Sequence, residues 1–212
     1  MKLSVEWVPG LAIGVGCLAS LVMFPDLPGA FSWPYSFAQP LIAFALPATA
    51  AVTYLILRRL WGETANERAH EADPEAAHRA IAVCLVFFVV AIHLLILLNL
   101  GGAQWVRGWG SRLVVVLFGG VIIATGNLLP RTRPNLAFGI RTALTLSDRR
   151  LWIRLHRTTG YVAVALGTII VFSGAFLSRP TLGMVISAAG LGSIAVLAVT
   201  YRRQCSVECR EG

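Results

Sequence analysis

Two places in this sequence hold residues whose types could do chemistry, and they differ in kind. One is a single histidine, His93, set in the uncharged run IAVCLVFFVVAIHLLILLNL (81–100). An ionisable ring in such a run either lines a path for a solute or sits neutral, hydrogen-bonded to a neighbouring helix. The other is the stretch PRTRPNLAFGIRTALTLSDRRLW (130–152), the start of a segment with Arg131, Arg133, Arg141, Arg149, Arg150, Arg154 and Arg157. Guanidinium forks suit carboxylates and phosphates, so this chemistry is recognition of an anion. Covalent chemistry finds less support. The chain has no H-E-x-x-H metal motif, no paired carboxylates within apolar runs and no phosphate-cradling glycine loop. A serine or cysteine nucleophile would have only His93 as a base. The expectation is a protein that is not an enzyme, with no catalytic residue, metal or cofactor.

The elements that must position these residues are membrane helices. Of the 212 residues, 57% are hydrophobic and 13% charged, against about 25% charged in soluble domains. Six runs lack any Asp, Glu, Lys or Arg: roughly 7–24, 37–57, 80–100, 113–129, 160–177 and 181–201. Each is close to the ~20 residues a helix needs to cross the hydrocarbon layer. Apolar residues on every face exclude barrel strands, which alternate. The fold class is therefore all-α, a polytopic membrane protein with six transmembrane helices. Its outline is an N-terminal hairpin (1–60), a linker (61–79) and a four-span part (80–212) with the loop 130–159.

Charge sets the orientation. With the N-terminus inside, fifteen of the eighteen basic residues fall on the cytoplasmic side, leaving Arg107, Arg112 and Arg179 outside. That asymmetry predicts a bacterial cytoplasmic membrane protein with both termini cytoplasmic. The net charge of +8 follows from this topology, so direct nucleic-acid binding is not expected; anionic lipid headgroups are the natural partners. Lys2 before an apolar core resembles a signal peptide, but Glu6 and Pro9 interrupt that pattern. All ten carboxylates lie outside the runs, which argues against a cation-coupled transporter.

Smaller features have plain readings. Phe31, Trp33 and Tyr35 in the first outer loop suit the headgroup level. Cys17 and Cys84 are small fillers within spans, and Cys205-x3-Cys209, with no nearby histidine, makes a weak metal site in a reducing compartment. Gly10-x3-Gly14 is a candidate for close helix approach.

In the arginine loop, Pro130 and Pro134 stop the fourth span, and Gly139 suits a turn. Thr145-x-x-Asp148 matches a capping box, which predicts a helix over about 146–159. Its faces separate Leu151, Trp152 and Leu155 from Arg150, Arg154 and Arg157, with Ile153 the exception. This is the pattern of an amphipathic helix lying in the inner membrane surface. Residues 135–146 are too polar for a span and too apolar for a solvated linker, so their backbone groups need partners.

The run GNLLPRTRPNLAFGIRTALTLSDRRLWIRLHRTTG (126–160) resembles the SdpI family, bacterial multispan proteins named for immunity to a sporulation-delaying peptide toxin. The resemblance rests on Gly126-Asn127, Asn135, Gly139-Ile140-Arg141-Thr142, Thr145-Leu146-Ser147, Trp152 and His156-Arg157. It covers about 120–178 by motif and extends by layout over 80–201; the first two spans match in layout and in their proline-rich outer loop. Ala143 stands where the family usually has proline. The resemblance implies a membrane immunity or receptor protein that engages a secreted peptide toxin and holds a cytosolic repressor at the membrane. Asn127, Asn135, Gly139, Arg141, Thr142, Thr145, Trp152, His156 and Arg157 would form the partner-binding region, with Arg141 at its centre. Two other readings stay open: a small-solute transporter or channel using His93, and a membrane scaffold without a ligand.

Overall fold

The computed structural model describes residues 7–24, 38–65, 74–135 and 139–211. These form seven helices: α1 (Val8–Met23), α2 (Ala38–Ala65), α3 (Pro74–Leu100), α4 (Gln104–Leu128), α5 (Ala143–Ser147), α6 (Arg149–Phe176) and α7 (Arg179–Glu211), with a 3-10 turn at Leu129–Arg131. The described residues include no strand. The aromatic loop (Phe31, Trp33, Tyr35), residues 66–73 of the 61–79 linker and the side chains of Cys205 and Cys209 lie outside them.

Five helices are long and apolar enough to cross a membrane, with spans at Ala43–Leu60, Ala76–Leu100, Gln104–Arg131, Arg149–Phe176 and Thr181–Arg203. The sixth apolar run forms α1, of 16 residues, or about 24 Å at 1.5 Å per residue. That falls short of a typical ~30 Å hydrocarbon layer, so five of the six expected spans meet the length requirement.

The described chain packs as two compact units. The first draws on Met1–Leu57 and Ala82–Val114, the second on Arg58–Ile81 and Val115–Gly212. In the first unit, Ala12, Val86 and Val90 are buried with Ile13, Tyr54 and Leu94 against them. A second cluster joins Ala43 and Leu97 to Ala19, Met23, Phe24, Phe44 and Leu100. His93 lies fully buried in this unit, 2.7 Å through Nε2 from the Ser20 hydroxyl. The Gly10-x3-Gly14 pattern is not used for close approach, because a Cβ at either glycine would meet nothing within 4 Å.

Close approach occurs in the second unit instead, along a seam between α4 and α6. A Cβ at Gly119 would lie 2.8 Å from the Gly167 carbonyl oxygen, and one at Gly160 would lie 2.6 Å from that of Gly126. Gly119 and Gly126 are seven residues apart, as are Gly160, Gly167 and Gly174. The pairs Gly119–Gly167 and Gly126–Gly160 therefore fix one antiparallel register, with Gly174 against Val115 and Val116. In lipid, association depends on such backbone proximity, because burial of apolar surface supplies no drive between helices. The helix α7 packs on α6 in the same unit.

The separate helix expected over 146–159 is resolved differently. Residues 149–159 are the first turns of α6, which continues unbroken for 28 residues to Phe176. The apolar face of those turns packs against protein, with Leu151, Trp152 and Leu155 each 1% exposed or less. Arg150, Arg154 and Arg157 are exposed, as is Ile153. The two faces are those read from the sequence, but the helix is the root of a span and has no break at residue 159. Nothing between Thr158 and Gly160 stops a helix, since the Thr159 hydroxyl simply bonds back to the Leu155 carbonyl at 2.8 Å.

Candidate functional site

The segment from Leu129 to Asp148 is held onto the root of α6 by bonds that reach across sixteen and twenty residues of chain. Pro130 sits in the 3-10 turn that follows α4 directly, where its missing N–H prevents the regular helix from continuing. Thr132 closes that turn by donating both its N–H (3.1 Å) and its hydroxyl (2.7 Å) to the Leu129 carbonyl. The carbonyl of Thr132 then accepts the indole N–H of Trp152 at 3.1 Å. Trp152 is fully buried, so this bond gives its polar edge the partner that burial requires.

The second attachment is His156. Its Nε2 accepts the backbone N–H of Ile140 at 3.1 Å, and its Nδ1 lies 2.8 Å from the Trp152 carbonyl. A backbone N–H can only donate, so Nε2 carries no proton and Nδ1–H donates to Trp152. The geometry thus selects the neutral Nδ1–H tautomer. The ring stacks on Trp152 with centroids 3.8 Å apart and planes 17° from parallel. Gly139 lies against the Nε2 end of this ring with φ of +98°. A Cβ there would overlap His156 Nε2, so both backbone conformation and space require glycine.

Thr142 and Thr145 complete the cluster. The Thr142 N–H donates to Thr145 Oγ1 at 2.8 Å, and the Thr145 N–H donates to Thr142 Oγ1 at 3.2 Å. This reciprocal pair is the capping box of the short helix α5. The Thr145 hydroxyl lies 2.8 Å from the Ile140 carbonyl, to which it donates. The cap expected from Thr145 to Asp148 is therefore replaced by two successive caps. Asp148 heads α6 on its own, accepting from the N–H groups of Arg150 (2.6 Å) and Leu151 (3.3 Å). Thr145 is consumed upstream and cannot serve both.

Of the residues singled out in the sequence, Gly139, Thr142, Thr145, Trp152 and His156 meet in this one cluster. Asn135 is also buried, with Nδ2 donating to the Arg133 carbonyl at 2.6 Å. Arg141 is exposed at the start of α5, Arg157 is exposed on the outer face of α6, and Asn127 is exposed on α4. His93 belongs to the other unit. Thr132 and the backbone of Ile140 were not foreseen, because they act mainly through main-chain atoms that side-chain patterns do not reveal. Among the described residues, no group of three or more His, Cys, Asp or Glu could hold a metal ion.

The chemistry of the cluster is structural at its centre and cationic at its surface. Neutral groups are all paired inside, while Arg131, Arg141, Arg149, Arg150, Arg154 and Arg157 are exposed around it. The guanidinium forks on this surface match the geometry of carboxylates and phosphates. No curated protein and no solved structure matches the chain. The resemblance read from the loop motifs is nevertheless met by an independent comparison: residues 131–201, from the 3-10 turn through α6 and the span of α7, match the model of the SdpI/YfhL protein family.

Proposed function

We propose that this chain is a non-enzymatic immunity or receptor protein of the bacterial cytoplasmic membrane, acting against a secreted, membrane-active peptide. In this reading the peptide engages the apolar helices from outside, and the folded loop on α6 is the cytoplasmic output. The observation that carries it is the Trp152–His156 cluster, which lies inside the family match and fixes a loop on whose surface Arg141 is exposed. A loop held only to connect two spans would need no such set of buried bonds. Arg141 then binds a carboxylate of a cytosolic repressor, with Asn135, Thr142 and Trp152 setting its position.

Helix length supports a second role for the arginines. At 1.5 Å per residue, the 28 residues of α6 extend about 42 Å, roughly 12 Å more than the hydrocarbon layer. The excess is accommodated at the arginine end, where Arg154 and Arg157 reach anionic headgroups while Arg150 and the loop stand further into the cytoplasm. A transport path through His93 finds no comparable support, since its ring is fully buried and tied to Ser20.

The test is membrane depolarisation in a sensitive bacterium lacking its own immunity gene, challenged with sporulation-delaying peptide. Cells carry the wild-type protein, Arg141→Ala or empty vector, with membrane expression confirmed for each. Protection by the wild type and its loss in Arg141→Ala are the expected results. Equal depolarisation in wild-type and vector cells would remove that peptide as the ligand.

A further inference from the structure

The first unit contains a proline inside a helix whose missing hydrogen bond is replaced from a neighbouring helix. Pro47 lies within α2, and its ring has no N–H to give to the carbonyl four residues earlier, that of Ala43. Ala43 is fully buried, so water cannot supply the lost donor. The hydroxyl of Ser20, on α1, lies 2.5 Å from this carbonyl oxygen and 3.0 Å from the Gly16 carbonyl in its own helix. Serine has one proton. The Gly16 carbonyl already faces the Ser20 N–H in the regular helix ladder, whereas the Ala43 carbonyl has lost its ladder partner. The proton therefore goes to Ala43.

His93 completes the arrangement from α3. Its Nε2 is 2.7 Å from Ser20 Oγ, and because that oxygen is already donating, Nε2–H donates to it. The other ring nitrogen, Nδ1, is buried without a hydrogen-bond partner. Ser20 is thus both a polar tie of the ring and the substitute donor for the helix. The three residues join three helices through one hydroxyl, all within one compact unit.

We propose that Ala43–Pro47 is a hinge in α2 and that Ser20, oriented by His93, is its latch. With the hydroxyl in place, the free carbonyl is satisfied and α2 holds one bend. Without it, the two halves of α2 are joined at this point by a missing rung, and the bend varies. Sharp bends in helices arise where such a rung is absent, and a neighbouring side chain is the ordinary means of satisfying the freed group in a membrane. The hinge carries a functional consequence independent of the proposed immunity role: the bend of α2 is controlled by a residue on another helix, so displacing α1 releases it.

A double-substitution cycle with a distance readout tests this. Full-length protein in nanodiscs, with Cys17, Cys84, Cys205 and Cys209 replaced by alanine, carries spin labels at Leu41→Cys and Leu55→Cys. These positions are 66% and 59% exposed and flank Pro47 on α2. With Ser20 present, the label–label distance distribution should be single and narrow. Ser20→Ala should at least double its width or add a second population, and Ser20→Thr should keep it narrow. Pro47→Ala restores an N–H to Ala43, so Ser20→Ala in that background should again give a narrow distribution. His93→Phe leaves the Ser20–Ala43 bond intact and should broaden the distribution less than Ser20→Ala. An unchanged width in folded Ser20→Ala, or equal broadening with and without Pro47, overturns the proposal. If Ser20→Ala does not yield folded protein, the double variant decides: it should fold, and its failure to do so also overturns the latch.

Discussion

Nε2 of His156 and the backbone N–H of Ile140 meet at 3.1 Å, sixteen residues apart in the chain. The bond is the point at which the loop stops being a connection and becomes part of α6. Replacing the ring with a side chain that cannot accept leaves a backbone donor without its partner, at a cost of about 1–3 kcal/mol. His156→Leu should therefore lower the unfolding free energy by that amount in detergent. It should also speed tryptic cleavage after Arg141, as followed by mass spectrometry. Unaltered cleavage kinetics would show that the loop is held by other contacts.

Gly139→Ala should be harmful for two separable reasons. The positive φ costs about 1–2 kcal/mol for a residue with a Cβ, and the Cβ would also overlap a ring fixed by stacking and two hydrogen bonds. In a His156→Ala background the overlap disappears and only the backbone cost remains. The additional loss caused by Gly139→Ala should shrink accordingly, and a double-mutant cycle on unfolding free energy measures the difference.

Substitutions along the α4–α6 seam should divide sharply from those elsewhere. Gly167→Ala places a Cβ 2.7 Å from the Gly119 carbonyl oxygen. Because that neighbour is backbone, relief requires the helices to separate, at about 1–3 kcal/mol as in overpacked cores. Gly183→Ala on α7 meets nothing within 4 Å and should leave stability unchanged or raise it by up to about 1 kcal/mol through helix propensity. Thermal unfolding of both variants side by side provides the check.

Asp148→Ala should fray the start of α6. The carboxylate satisfies the N–H groups of Arg150 and Leu151, and removal of such a cap costs about 0.5–2 kcal/mol. Arg149 and Arg150 occupy the first turn, where positive charge opposes the helix dipole, so the cap has more to offset here than in an average helix. Hydrogen exchange at the Arg150 and Leu151 amides should accelerate in Asp148→Ala and less so in Asp148→Asn.

The sequence made some of these features legible and concealed others for identifiable reasons. The spans and the two faces of the α6 root are statements about hydropathy and periodicity, and both appear in the structure, with α1 shorter than a full crossing. The start of that helix was misread because two capping patterns overlap. Thr145 satisfies Thr142 and Ile140, and a pattern of residue types cannot tell which neighbour a hydroxyl will choose. The glycine seam was missed because its period of seven is split across α4 and α6, and becomes visible only once the antiparallel register is known. His93 was legible as an ionisable ring within a span, with hydrogen bonding to a neighbouring helix as one of two readings, and the structure buries it against Ser20. Its partner Ser20 was not, because the need for a donor originates in Pro47 on a different helix.

The register of the glycine seam also limits how a signal could pass along α6. With glycines at 119 and 126 facing 167 and 160, the next alignment that brings two pairs together lies seven residues away, about 10 Å of travel. A one-turn ratchet would set the seam glycines against branched side chains, and a smaller piston stroke would break both close approaches. Sliding is thus closed to this helix pair. Tilting or turning α4 and α6 together preserves both close approaches and carries Trp152, His156 and the bound loop as one piece.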